Sequence, residues 1–132
     1  MTRFQALRDE RTLSRLYWSM RLGIAFIWLW TAFVSWYVHP HADSIGMLRK
    51  TGITDHAGLV FAASCALDLM MGIASLLYAR AFLWQAQFLL VAGYTVVICL
   101  FLPEFLMHPF GAITKNLTVL ICLAMLALAD RR

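Results

Sequence analysis

Four long apolar stretches occupy most of this chain and constrain its fold more than any other feature. They cover about residues 17–38, 57–78, 82–102 and 112–129. Each is close to the roughly 20 residues that an α-helix needs to cross about 30 Å of hydrocarbon. Aromatic pairs at residues 17–18 and 36–37 bracket the first stretch, as is typical of the membrane–water interface. The pattern predicts four membrane-spanning helices.

The composition agrees with a membrane protein and excludes several other classes. Of the 132 residues, 62% are apolar and 14% are charged, whereas soluble domains carry about 25% charged residues. A soluble fold of this size has too little interior to bury so many apolar side chains. A disordered chain, a nucleic-acid-binding domain and a disulfide-stapled secreted module are therefore excluded. We expect an all-α, integral membrane four-helix bundle, formed by residues 1–132 as one domain in contact with the bilayer.

Basic residues are distributed unevenly over the two sides of the predicted bundle. One side carries Arg49, Lys50 and Lys115. The other side carries eight arginines: Arg3, Arg8, Arg11, Arg15, Arg21, Arg80, Arg131 and Arg132. Because short cytoplasmic loops are enriched in Lys and Arg, both termini are predicted to be cytoplasmic. Residues 3–16 alternate apolar residues with arginines, which predicts a short amphipathic helix in the interface before the first span.

Cysteine and histidine positions bear on redox and metal chemistry. The cysteines at positions 65, 99 and 122 each lie inside a predicted helix and form no CxxC motif, which disfavours a thiol–disulfide relay. All four histidines lie on the predicted outer side. His39 and His41 flank Pro40, and together with His108 they are candidate zinc or copper ligands. The alternative is that these histidines anchor loops by hydrogen bonds, and we predict no metal site.

Asp68 is the sharpest single signal in the sequence. It lies near the middle of the second apolar stretch, where an ionised carboxylate costs several kcal/mol unless it is paired or hydrated. Helical spacing places it on one small, polar stripe with Phe61, Ser64, Cys65, Gly72 and Ser75. Trp28 and Tyr94 are the candidates to line the pocket on the first and third helices. A stripe of Gly111, Lys115, Thr118 and Cys122 is expected to face inward on the fourth. A structural polar network and a ligand or catalytic pocket both remain open.

The segment from Pro103 to Asn116 adds polar groups at the outer side. Two prolines and a glycine prevent one continuous helix here. Glu104, His108 and Lys115 bring an acid, a base and a cation close together, and Glu104 or Asp68 is the expected partner of Lys115. Groups of this kind bind a quinone carbonyl or a headgroup, or move a proton. The alternative is that these groups only cap two helix ends.

Several short motifs carry a family resemblance. They are residues 35–41 (SWYVHPH), 67–69 (LDL), 93–97 (GYTVV), 103–111 (PEFLMHPFG) and 114–116 (TKN). Together they resemble the DoxX-like family of bacterial four-helix membrane proteins, over about residues 12–130. The resemblance implies the architecture above and a location in the bacterial inner membrane. The wider group takes its name from a subunit of a thiosulfate:quinone oxidoreductase, and some members are associated with redox or detoxification partners. The resemblance assigns no catalytic residue.

The sequence thus leads to one function hypothesis and two alternatives. The first is a quinone- or lipid-binding accessory to a redox system, with a pocket that opens to the periplasmic face. Its predicted ligand-binding residues are Trp28, His39, His41, Asp68, Tyr94, Glu104, His108, Lys115 and Asn116. The alternatives are a scaffold or assembly factor for a partner protein, and an acid–base enzyme that uses Asp68 or Glu104 with His108. No nucleic-acid partner is expected, quinone is the one cofactor suggested, and self-association stays open.

Overall fold

The computed structural model describes residues 9–107 and 112–131, and this part of the chain is helical with short turns. Helix α1, Glu10–Phe33, continues into a π-helical segment, Val34–Val38. The other helices are α2 (His41–Lys50), α3 (Ala57–Leu77), α4 (Ala81–Phe101), α5 (Glu104–Met107) and α6 (Ala112–Ala129). The predicted all-α class is confirmed.

Within the described residues, three segments are long and apolar enough to cross a membrane. They are Glu10–Val38, Ala57–Leu77 and Ala81–Phe101. The apolar part of α6, Ile113–Ala129, is shorter. From residue 57 onward the bounds of the long helices lie within one residue of those predicted. The chain is therefore a multi-pass membrane protein, and a crossing by α6 stays a prediction.

The first long helix starts earlier than predicted. Its N-cap is Asp9, whose carboxylate accepts a hydrogen bond from the Thr12 backbone N–H at 3.3 Å, a common way to satisfy a free donor at a helix start. Residues 10–16 therefore belong to α1, and the prediction of a separate interfacial helix is wrong for them. No glycine or proline interrupts this stretch, so the helix runs on without a break. Residues 3–8 lie outside the described residues.

The connection between α1 and α3 contains a helix that the sequence analysis did not predict. His39 is extended (φ −81°, ψ 137°), as expected for a residue before proline, and α2 begins directly after Pro40. At the far end Gly52 has a φ of 92°, and the Ile53 N–H donates to the Leu48 carbonyl at 3.3 Å. This is the left-handed glycine closure common at helix C-termini.

The long helices pack as two pairs. Helix α1 lies mainly along α3, α4 lies mainly along α6, and the pairs meet through α1 and α6. The Tyr17 hydroxyl in α1 donates to the carboxylate of Asp130, just after α6, at 2.9 Å. The start of α1 and the end of α6 therefore share one end of the assembly. We call this the proximal end, and the end with His39 and Glu104 the distal end.

The core lies where α1, α4 and α6 converge. Trp84 of α4 and Leu123 and Leu126 of α6 are fully buried. They form one cluster with Ile24, Trp28, Val91 and Ala127. Leucine and tryptophan fill this centre from three helices, so the polar stripe of α3 lies beside the core and not within it.

Candidate functional site

One face of α3 is buried along most of its length. It carries Phe61, Cys65, Asp68, Gly72 and Ser75, which recur every three or four residues as one stripe of an α-helix must. Ser64 lies beside this stripe and is half-buried. As the spacing predicts, Asp68 faces the interior of the protein and not the surface.

One oxygen atom of the buried Asp68 carboxylate receives no hydrogen bond from the part of the chain that the structure describes. The residue is 8% exposed, and its Oδ1 atom is buried without a hydrogen bond from any described residue. Cys65 and Tyr94 lie within electrostatic range of the Asp68 carboxylate. A buried polar group without a partner costs several kcal/mol in hydrocarbon, so an intramembrane carboxylate of this kind is by default a functional-site candidate.

Tyr94 reaches this position from the inward face of α4. Trp84, Gln87 and Val91 are buried on that face, and Tyr94 follows at helical spacing and is half-buried. Helices α3 and α4 pack against each other much less extensively than α1 packs on α3. The Asp68–Tyr94 site therefore lies where the two helix pairs are most loosely joined.

An apolar groove runs between α1 and α3 beside this site. Its volume is about 490 Å³, within the usual range of small-molecule pockets. We call it the α1–α3 groove; it is lined in part by Leu29, Phe33, Trp36, Tyr37, Cys65 and Leu69. Trp36 and Tyr37 lie in the π-helical segment, a local widening often found at functional sites. Through Cys65 the groove comes within one helical turn of Asp68.

A buried arginine closes the proximal end of the α1–α3 pair. Arg21 is 6% exposed. Its Nε and Nη2 atoms donate to the carbonyl oxygens of Ser75 and Leu76, each at 2.6 Å, and its guanidinium lies 4.8 Å from the ring centre of Trp18. These carbonyls belong to the last turn of α3, where no further helical N–H is available to them. The sequence analysis counted Arg21 only as a cytoplasmic charge and missed this contact.

Gln87 links three helices next to that arginine. Its Oε1 atom accepts from Trp28 Nε1 at 2.9 Å, and its Nε2 donates to the Ser75 hydroxyl oxygen at 2.8 Å. The indole N–H of Trp28, which was predicted to line the ligand pocket, is therefore bound to Gln87. Two glutamines, Gln85 and Gln87, interrupt the apolar stretch 82–102. They were the signal available in the sequence, and it was not used.

Asp130 joins the ends of three helices at the same end. Its Oδ2 atom accepts from the Tyr17 hydroxyl and from Trp84 Nε1, at 2.9 and 2.7 Å. The proximal end is thus a satisfied polar network, in contrast to Asp68, and satisfied networks of this kind specify helix packing. Of the two readings that the sequence left open, the structural network describes this end.

Comparison with known proteins supplies the family. The model of the DoxX-like family matches residues 25–125, which is more than half of the chain and includes Asp68 and Tyr94. The chain belongs to the DoxX-like family. No curated protein and no solved structure matches it.

The distal histidines of this DoxX-like protein are held by local contacts. His41 donates from Nε2 to the Trp36 carbonyl at 2.7 Å, and its ring centre lies 5.0 Å from that of Phe61. His39 Nδ1 lies 3.1 Å from the Ser44 hydroxyl oxygen. Both side chains are exposed. His41 nevertheless contacts Trp36, which lines the α1–α3 groove.

No group of three metal-ligating side chains occurs within residues 9–107 and 112–131. His108, the third candidate ligand and the proposed catalytic partner of Asp68, lies outside the described residues.

In the structure Glu104 pairs with a residue other than the expected Lys115. Glu104 lies 3.9 Å from Lys50, and this is the ion pair found among the described residues. Lys115 is exposed on α6. The neighbouring Asn116 donates from Nδ2 to the Thr95 hydroxyl oxygen at 2.9 Å, which ties α6 to α4. The expectation that Glu104 pairs with Lys115 is wrong, because α2 brings Lys50 closer.

The inward face of α6 also differs from the one predicted. Lys115 and Thr118 are exposed and Cys122 is half-buried, while Gly111 lies outside the described residues. The buried face instead carries Ile113, Leu123, Leu126 and Ala127. Leucine side chains pack against α4 by close van der Waals contact, which favours helix association in a membrane, whereas burial of a lysine there is costly, so the apolar face is the one turned inward.

The Lys50–Glu104 pair is expected to contribute little to stability. Both side chains are more than half exposed, and exposed ion pairs contribute about 0–1 kcal/mol. Glu104→Gln should leave the midpoint of thermal unfolding in detergent within about 2 °C of the wild-type value at physiological salt. A larger fall that persists at 1 M NaCl would show that Glu104 has a further partner.

Proposed function

We propose that this DoxX-like protein lies in the bacterial inner membrane with both termini cytoplasmic, and binds a quinone or lipid-like ligand at Asp68 as an accessory to a redox system. Asp68 and Tyr94 hold the polar head of the ligand, and the α1–α3 groove holds its apolar part. The groove wall at Trp36 and Tyr37 belongs to the π-helical segment that follows α1 at the distal end, so the site opens toward the periplasmic face.

One observation carries this proposal: the buried Oδ1 atom of Asp68 has no donor among the described residues. A hydroxyl group on a ligand supplies that donor. The Tyr94 hydroxyl, which lies within electrostatic range of Asp68, offers a donor to a carbonyl oxygen. A carboxylate and a phenol that face one ligand therefore suit a head that exists as a carbonyl or as a hydroxyl, which is the chemistry of a quinone and its quinol.

The apolar groove supports the same ligand class. Phe33, Trp36 and Tyr37 provide aromatic surface, against which a flat ring stacks favourably. Cys65 and Leu69 supply the opposite wall from α3. A lipophilic ligand enters such a groove from the bilayer without crossing water.

Asp68→Asn tests the site directly. We expect a roughly three- to tenfold weaker affinity for decylubiquinol, because asparagine keeps an oxygen acceptor but loses the charge, and a hydrogen bond to a charged group is about twice as strong as one between neutral groups. Tyr94→Phe should likewise lower the affinity for decylubiquinone. Quenching of tryptophan fluorescence in detergent measures both affinities, since Trp36 lines the groove.

Asp55→Asn is the matched control, because it makes the same chemical change at an exposed position before α3. It should bind both probes as the wild type does. Equal affinities for wild type, Asp68→Asn and Asp55→Asn would overturn the site. Absence of any binding by the wild type at millimolar probe would overturn the quinone ligand.

A scaffold role is the second candidate, and the outer face of α1 favours it. Phe26, Trp30, Phe33 and Tyr37 form a ladder with ring centres 5.5–5.9 Å apart, and all four are exposed. An exposed aromatic face suits a partner helix as well as lipid. Trp30→Leu should then reduce recovery of a cross-linked partner from membranes and leave binding of decylubiquinone unchanged.

A further inference from the structure

We infer that the proximal end of the α4–α6 pair binds one anionic phospholipid, at a site separate from Asp68. Two neighbouring hollows form this site. The first is an apolar groove of about 460 Å³ between α4 and α6, the α4–α6 groove. The second is a hollow of about 470 Å³ at the proximal end, which we call the arginine pocket because Arg80 and Arg131 line it.

The α4–α6 groove and the arginine pocket adjoin each other at one shared residue. Arg131 lines both the α4–α6 groove and the arginine pocket. In the groove, Leu123 and Ala127 are buried and form the floor, while Leu89 and Leu128 are exposed and form the walls. The α4–α6 groove thus runs along two helices to a pair of arginines. This arrangement matches a phospholipid, whose acyl chain fits the groove and whose phosphate fits the arginine pocket.

The charge of the arginine pocket suits an anion. Neither Arg80 nor Arg131 forms an ion pair within residues 9–107 and 112–131. Asp130 lines the same pocket, but its Oδ2 atom is held by Tyr17 and Trp84. Two exposed guanidinium groups therefore face one carboxylate that is already bound. Guanidinium groups bind phosphate oxygens in a two-pronged geometry.

The location of the site also favours a membrane lipid. Five of the described basic residues lie at the proximal end and three lie at the distal end. Basic residues beside a membrane helix attract anionic lipid, with about 1 kcal/mol for each Lys or Arg. The α4–α6 groove adds apolar contact that a free phosphate ion cannot use, so a lipid is favoured over a soluble anion.

Native mass spectrometry of the full chain in detergent tests this inference. The protein is mixed with equal amounts of dioleoyl phosphatidylglycerol and dioleoyl phosphatidylcholine, and the bound ratio is measured. We expect phosphatidylglycerol to be preferred by the wild type. In R80Q/R131Q the binding of phosphatidylglycerol should fall about 25-fold, at about fivefold for each arginine, and that of phosphatidylcholine should fall less, because its choline cation cancels the charge of its phosphate.

Two further variants separate this site from general surface charge. R11Q/R15Q removes the same charge from exposed positions of α1 and should keep the preference. Ala124→Leu narrows the α4–α6 groove and should reduce binding of both lipids. An equal loss in R80Q/R131Q and R11Q/R15Q, or equal binding of both lipids by the wild type, would overturn the inference. Displacement of phosphatidylglycerol by millimolar inorganic phosphate would overturn the lipid as occupant.

Discussion

Arg21→Ala is expected to lower the free energy of unfolding by about 3 kcal/mol or more, because each hydrogen bond to a charged donor contributes about 1.5–3 kcal/mol. The guanidinium makes two such bonds, to the carbonyl oxygens of Ser75 and Leu76. Alanine leaves both carbonyls at the end of α3 without a partner. It also removes the contact with the Trp18 ring. Titration of the purified protein from mild detergent into dodecyl sulfate, followed by circular dichroism, measures the loss.

Two companion variants make the result specific to these bonds. Arg21→Lys keeps the charge but cannot reach two carbonyls in the fixed fork of a guanidinium, so an intermediate loss is expected. Arg15→Ala removes an exposed arginine of the same helix and should change the free energy by less than about 0.5 kcal/mol. If Arg21→Ala unfolds at the same dodecyl sulfate concentration as the wild type, the hydrogen bonds from Arg21 to the end of α3 do not stabilise the fold.

Gly72→Leu should separate α1 from α3 and lower the free energy of unfolding by about 3 kcal/mol, the upper part of the range for overpacking. A Cβ atom at position 72 would lie 2.6 Å from Cγ and 3.1 Å from the backbone nitrogen of Leu29. The backbone of α1 cannot yield as a side-chain tip can. The same titration into dodecyl sulfate measures this variant.

Position 93 offers the matched control for that substitution. A Cβ atom at Gly93 of α4 meets no heavy atom within 4 Å, so Gly93→Leu should be neutral or slightly stabilising, since leucine favours a helix over glycine by up to about 1 kcal/mol. Leu29→Ala combined with Gly72→Leu should recover about half of the loss, because volume-conserving exchanges are tolerated best. Equal losses at positions 72 and 93 would contradict the close approach of α1 and α3.

Local sequence pattern determined the long helices well. The length of the apolar stretches located them from residue 57 onward within one residue. The start of α1 was misplaced because the change from charged to apolar residues marks the membrane boundary, whereas the helix itself begins at the cap of Asp9. The helix α2 was missed because its sequence is polar and short, and its bounds depend on Pro40 and Gly52.

The candidate site was predicted in part. Asp68 is found on the inward stripe of α3, and Tyr94 is found near it on α4, because helical spacing alone decides which residues share a face. The partners of the remaining polar residues depend on how helices distant in sequence are juxtaposed. Lys50 is 54 positions from Glu104, and no local pattern indicates that α2 brings them together.

The sequence by itself determined that this protein enters a membrane, that Asp68 faces inward and that the chain resembles the DoxX-like family, since these follow from apolar length, periodicity and local motifs. The tertiary structure decided which polar groups are satisfied. Arg21, Gln87 and Asp130 find partners across helices, whereas the Oδ1 atom of Asp68 finds none among the described residues. Hydrogen bonding requires atoms within about 3 Å, and only the packed arrangement of the helices sets those distances.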